Sequence, residues 1–159
     1  MNPSERQAIV TGASRGIGAA IAAALVQDGV SVLLLARDAA ALERQAAQLS
    51  AQARPGQRVA WLSCDIGDPA QVDAAMDQAR RMVPALSILV NNAAILGPAG
   101  ALEDCDAAAW ERTMRVNLLG TVGMCRAALP LLRACGQGRI VNLSGGGATA
   151  PLLGFGAYG

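Results

Sequence analysis

The chain contains no histidine, and its four cysteines, Cys64, Cys105, Cys125 and Cys135, show no C-x-x-C spacing. Zinc is held by sets of Cys and His at short, characteristic spacings, so no centre of that kind is expected and no metal is assigned. The cysteines read as buried, reduced thiols of a cytoplasmic protein. Runs of like charge are also missing: 13 basic side chains stand against 12 acidic ones, for a formal net charge of +1. That balance points to neither a nucleic acid nor an anionic membrane as partner. No apolar run reaches the ~18 residues that a membrane helix needs, and the opening MNPSERQ lacks an apolar signal core. Linkers, internal repeats and low-complexity segments are absent, so residues 1–159 read as one domain.

Small apolar residues are abundant instead. Hydrophobic residues make up 53% of the chain, with alanine the main excess. This suits closely packed helices, and it implies apolar surface that a further segment or a partner subunit covers.

Strand-like and helix-like stretches alternate, which predicts an α/β fold with a parallel sheet and helices on both faces. Strands are expected at Ala8–Val10, Val30–Ala36, Val59–Ser63, Leu86–Val90 and Arg139–Ser144. The second is almost wholly apolar, as a strand buried on both faces must be. Between the first two, Ile17, Ile21, Ala24 and Leu25 predict the apolar face of a helix closed by Gly29. Asp38 is placed to cap the next helix, with Leu42, Ala46 and Leu49 on one face. Asp68 and Pro69 form the aspartate-cap, proline-first signature of a third helix, whose stripe is Val72, Ala75, Met76, Ala79 and Met82. A long helix is expected from Asp106 to about Arg133, bent or ended near Pro130. Asn91 to Asp104 and Gly145 to Gly159 read as loops.

The organising stretch is Thr11–Gly18, TGASRGIG, a glycine-rich turn between the first strand and the first helix. Unpaired N–H groups and the positive dipole end at a helix start suit a phosphate. Gly12 allows the tight turn, Gly16 lets the backbone approach a pyrophosphate, and Gly18 lets the helix pack on the strand. The spacing is G-x-x-x-G-x-G, distinct from the commoner G-x-G-x-x-G. Asp65, just past the third strand, lies on the sheet edge where such folds bind ligands. Asn91, at the end of the fourth strand, has an amide suited to pinning neighbouring backbone and a ribose.

TGASRGIG, Cys64-Asp65-Ile66, Asn91-Asn92-Ala93-Ala94, Asn117, Ser144 and Tyr158 together resemble the ordered motifs of the short-chain dehydrogenase/reductase family over the whole chain. The resemblance implies a Rossmann-type doubly wound sheet and hydride transfer between a nicotinamide and a carbonyl or alcohol. It implies cofactor contacts from Gly12, Ser14, Arg15, Gly16, Ile17, Gly18, Asp65, Ile66, Asn91 and Ala93, with Asp65 facing the adenine amino group. It also implies a catalytic set in which Tyr158 gives a proton to the carbonyl oxygen and Ser144 hydrogen-bonds that oxygen. The resemblance likewise implies that Asn117 holds a water in a proton relay. Alanine at 94 replaces the family's usual glycine. Tyr158 follows Ser144 by fourteen residues, and the chain stops at Gly159. The family's lysine, four residues after the tyrosine, and its last helices and strands therefore fall beyond this chain, which is expected to be a shortened version of the family domain. Tyr158 is then expected to be held only by a frayed end.

Cofactor choice turns on the end of the second strand, where an acidic residue favours the ribose 2′-hydroxyl of NAD and an arginine the 2′-phosphate of NADP. Arg37 stands there, and Arg15 in the turn reaches the same region. Forked guanidinium donors suit phosphate oxygens, so NADP is expected over NAD. Three functions remain open: an NADP-dependent oxidoreductase, a non-catalytic NADP-binding module, and a scaffold pairing with a related subunit. The family's oligomers imply a chain that self-associates or is poorly stable.

Overall fold

A computed structural model describes residues 6–83 and 85–158. The first five residues of the polar N-terminal stretch, Pro84 and the final Gly159 lie outside the described residues. Five parallel strands form one sheet: β1 (Gln7–Thr11), β2 (Ser31–Ala36), β3 (Val59–Ser63), β4 (Ile88–Asn91) and β5 (Arg139–Asn142), in the order β3-β2-β1-β4-β5. This is the doubly wound Rossmann arrangement, whose order reverses between β1 and β4. Ligands of such sheets bind beyond the strand C-termini at that reversal.

Helices α1 (Gly16–Gln27) and α2 (Ala39–Ser50) cover one face of the sheet, while α3 (Pro69–Met82) and a long helical run from Ala107 to Cys135 cover the other. Each face has its own core. Val10, Val32 and Leu34 pack with Ala22, Val26 and Leu42 on one side. Ile9, Leu33 and Leu35 pack with Met76, Leu89 and Met124 on the other. Alternate β2 residues thus enter opposite cores, which is why the strand is apolar throughout; burial of each leucine stabilises by about 1.5–3 kcal/mol.

The local signals hold. Asp38 Oδ1 accepts from Ala41 N at 3.0 Å, and Asp68 Oδ1 accepts from Ala70 N at 3.0 Å with Pro69 in the first turn of α3. Gly29, with φ +85°, follows the end of α1. The α1 face differs from expectation: Gly18, Ala22 and Val26 are buried, whereas Ala24 is exposed and Ile17 is 65% exposed. Small residues turn inward because α1 lies close against the turn that precedes it. Only Cys64 of the four cysteines is fully buried; Cys105, Cys125 and Cys135 are part-exposed, and all four are free thiols.

The long helical run has three parts: α4 (Ala107–Met114), a π-helical segment Arg115–Gly120, and α5 (Thr121–Cys135), which contains Pro130 and ends at the left-handed Gly136. Its most apolar stretch has a mean hydropathy of 1.3, so by length and composition the run is apolar enough to cross a membrane, contrary to expectation. Here its buried stripe, Met124, Ala128, Leu131 and Leu132, packs against α3 and β4. Residues 139–142 of β5, one of the sheet's two edge strands, are all exposed.

Candidate functional site

The turn after β1 is held from below by β4. Thr11 is fully buried, and its hydroxyl oxygen accepts from Asn92 N at 3.0 Å and Ala93 N at 3.1 Å. The Asn92 amide donates to Thr11 O at 2.9 Å and to Gly12 O at 3.3 Å. These bonds join the two strands that flank the reversal and fix two carbonyls, Thr11 O and Gly12 O, while Ala13 N donates to Leu35 O at 3.1 Å. Thr11 and Asn92 escaped sequence reasoning as supports; the signal for them was a strand-ending threonine opposite a paired asparagine.

Two glycines show what the turn is shaped for. A Cβ on Gly18 would lie 2.4 Å from Gly12 O and 2.5 Å from Asn92 Nδ2, so α1 can sit this close only without a side chain there. Gly16 has φ +58°, and a Cβ on it would meet nothing within 4 Å. Space is therefore open in front of the turn at the point where a phosphate would approach. The N-cap residue Arg15 makes no side-chain capping bond and the first turn of α1 carries no acidic residue, so its amides are available to an anion.

A cleft of about 640 Å³ opens from this turn across the C-terminal ends of β1, β2 and β3. That is within the size range of small-molecule and cofactor sites. Gly12, Ser14, Arg15, Gly16, Ile17, Arg37, Asp65, Ile66 and Ala93 all line it, together with Asn92, Ala94 and Ile95. Gly18 sits behind the turn. Arg37 and Arg15 are both exposed on the wall. Asp38 also reaches the cleft, with its Oδ1 engaged in capping α2.

Asn91 is not on that wall. The strand runs one residue further than expected, so Asn91 still pairs in register with Asn142 on β5 and is 4% exposed. Its amide donates to Asn142 Oδ1 at 2.8 Å and to Cys125 Sγ at 3.2 Å. The expected pinning of neighbouring backbone falls to Asn92, the next residue.

Asp65 is tightly held. Its Oδ1 accepts from Gly67 N at 2.9 Å, and its Oδ2 accepts from the Arg112 guanidinium on α4. Burial pushes its pKa up, but the bonds from Arg112 and Gly67 and the charges of Arg112 and Arg37 outweigh this and hold it below the ordinary value of 3.8. Cys64 next to it is pushed up to about 11 by burial and by the charges of Asp65 and Asp68, which leaves it a neutral thiol. Among the described residues, no group of three or more His, Cys, Asp or Glu could hold a metal ion.

None of the three expected catalytic residues lines the cleft. Asn117 is in the π-helical segment, and its side chain closes on one residue of the cleft wall: Oδ1 accepts from Ile95 N at 2.9 Å and Nδ2 donates to Ile95 O at 2.8 Å. Ser144 is exposed just beyond β5. Tyr158 packs against the next residue, Gly145, where an added Cβ would lie 2.6 Å from the phenolic oxygen. Its N–H bonds Phe155 O at 3.0 Å and its neighbour Ala157 is buried, so it is seated rather than frayed. Gly100 N donates to Gly154 O at 2.9 Å, which joins the loop after β4 to the segment leading to Tyr158.

Comparison with known proteins bears on the family and the fold. The family model described as short chain dehydrogenase matches residues 6–159. The 2-(S)-hydroxypropyl-CoM dehydrogenase 3 of Xanthobacter autotrophicus is 39% identical over 146 residues, which covers 92% of this chain and 54% of that protein. The crystal structure of L-sorbose reductase from Gluconobacter frateurii, complexed with NADPH and L-sorbose, matches with a TM-score of 0.90 and 30% identity over 96% of this chain and 57% of its own. A NAD+-bound xylitol dehydrogenase matches with a TM-score of 0.91 and 25% identity over 100% of this chain and 60% of its own. The chain spans about half the length of the curated relatives it matches.

Proposed function

We propose, from the premise that this chain belongs to the short-chain dehydrogenase/reductase family, that it is the nucleotide-binding part of an NADP-dependent oxidoreductase acting on a small carbonyl or alcohol. The observation that carries this reading is the turn Gly12–Gly18, with a helix start that no side chain caps, an open space at Gly16 and a cleft leading from it to two arginines. The residues fit a dinucleotide. The turn from Ser14 to Gly18 would hold a diphosphate through its amides, Asp65 and Ile66 would hold an adenine, and Ala93 with Ile95 would hold the far end. Arg37 and Arg15 supply forked donors for a 2′-phosphate.

When bound, the nicotinamide cofactor supplies or accepts the hydride. The chain's own task is then to handle a proton and an oxygen. Tyr158 donates its phenolic proton to the carbonyl oxygen during reduction and takes it back in the reverse direction. Ser144 hydrogen-bonds that oxygen and orients it. Asn117 fixes the Ile95 backbone at the cleft wall and, in this reading, holds a water of the proton relay. Four free thiols fit a reducing, cytoplasmic compartment.

The test is a titration with NADPH and NADH, followed by ketone-dependent NADPH oxidation. NADPH is expected to bind more tightly than NADH. Arg37→Asp is expected to weaken NADPH by about tenfold or more, the scale of a lost charge-assisted bond of ~1.5–3 kcal/mol, and NADH much less. Equal losses overturn the NADP assignment. Binding without turnover leaves a cofactor-binding module in place of an enzyme.

A further inference from the structure

We propose that Arg112 is a positioning residue for adenine recognition, acting through Asp65 from outside the cleft. The inference rests on the cofactor reading above and assigns the residue that makes one end of the cleft selective. Arg112 lies on α4, 47 positions along the chain from Asp65, and does not line the cavity. Its guanidinium nonetheless grips Asp65 Oδ2 while Gly67 N holds Oδ1. The carboxylate is thus fixed at both oxygens, and its side chain remains 18% exposed.

An ionised carboxylate offers about four lone-pair positions. Two are used, so Asp65 keeps an acceptor position for an amino group on the cleft side. A carboxylate free to rotate would be solvated in several orientations and would recognise an amino group less selectively. The Arg112 charge also compensates that of Asp65, so the carboxylate can stand beside an anionic cofactor at lower electrostatic cost.

Gly67 completes the arrangement. A Cβ there would lie 3.0 Å from Arg112 Nη1 and 2.9 Å from Val116 Cγ2. The absence of a side chain at position 67 leaves room for the guanidinium to reach Asp65. Two separate substitutions therefore perturb the same contact: Arg112→Met removes the donor, and Gly67→Ala crowds it.

The experiment measures dissociation constants for NADPH and for its hypoxanthine counterpart, in which the 6-amino donor is replaced by an oxo acceptor. The wild-type chain is expected to prefer NADPH by about tenfold, the scale of one hydrogen bond to a charged group. In Arg112→Met the ratio is expected to fall to within about twofold of unity, and Gly67→Ala is expected to move it the same way. Arg112→Lys, which keeps the charge and one donor, is expected to recover at least half of the preference on a logarithmic scale.

A general loss of structure would weaken both ligands equally, so it cannot imitate a change in the ratio. Each variant's fold is checked by circular dichroism, and where Arg112→Met does not fold, Arg112→Lys and Gly67→Ala decide. Folded variants that keep the wild-type ratio, or weaken both ligands alike, overturn the role of Arg112 while leaving the cofactor reading intact. A wild-type chain that binds neither dinucleotide overturns that reading and this inference with it.

Discussion

At the scale of single residues, the site depends on contacts that have no tolerance. Gly18 is the clearest case, because an added methyl would collide with the Gly12 carbonyl and the Asn92 amide, both already fixed by hydrogen bonds. Gly18→Ala is expected to destabilise the fold by about 1–3 kcal/mol, the usual scale of overpacking, and to weaken NADPH binding, measured by urea unfolding and titration. Asp65 makes a prediction about pH. Its folded pKa is lowered, so its ion pair contributes fully above the unfolded carboxylate's ordinary 3.8 and is lost as pH falls through the lower folded value. The stability gap between the wild type and Asp65→Asn is therefore expected to close as pH is taken from 6 to below 3, followed by urea midpoints; a constant gap contradicts it. Much of this scale was legible beforehand. Glycine spacing, Arg37 and Asp65 could be read from the order of residues, and all of them line or support the cleft. The exchange between Asn91 and Asn92 could not, because which of two adjacent asparagines faces the cleft depends on where the ladder with β5 ends. The Arg112 contact was hidden for a similar reason: it joins elements far apart in sequence.

At the scale of elements, caps were more readable than faces. Asp38 and Asp68 sit where local chemistry alone requires an acceptor, and both make the bond. Asp38→Ala is expected to cost about 1 kcal/mol through loss of the α2 cap, seen as a lower thermal midpoint with little change in the far-ultraviolet spectrum. The inner face of α1 was misread because hydrophobicity favoured Ile17, whereas close approach to the turn selects Gly18 and Ala22. The π-helical segment Arg115–Gly120 had no local signature at all. Asparagine is a poor helix former, and at Asn117 both polar atoms of the side chain hold Ile95. That contact sets the loop after β4 against the long helix.

At the scale of the molecule, the alternation of strands and helices was enough to foresee a parallel sheet covered on both faces, and β3-β2-β1-β4-β5 places the cleft at the reversal. The excess of apolar residues appears as exposed surface on the long helix, at Leu118, Leu119 and Val122, which are 51%, 60% and 55% exposed, and on the open edge strand β5. The chain is expected to self-associate, and Leu119→Lys to shift sedimentation toward monomer; a stable, monodisperse wild-type monomer contradicts this. What unites the three scales is a single claim, that the backbone amides after β1 hold the diphosphate of a nicotinamide dinucleotide. Backbone amide NMR of the folded chain during an NADPH titration tests it most directly. The account predicts the largest saturable shifts at Ser14, Arg15, Gly16, Ile17 and Gly18, and a folded chain whose amides at these positions stay unmoved at saturating NADPH would contradict it.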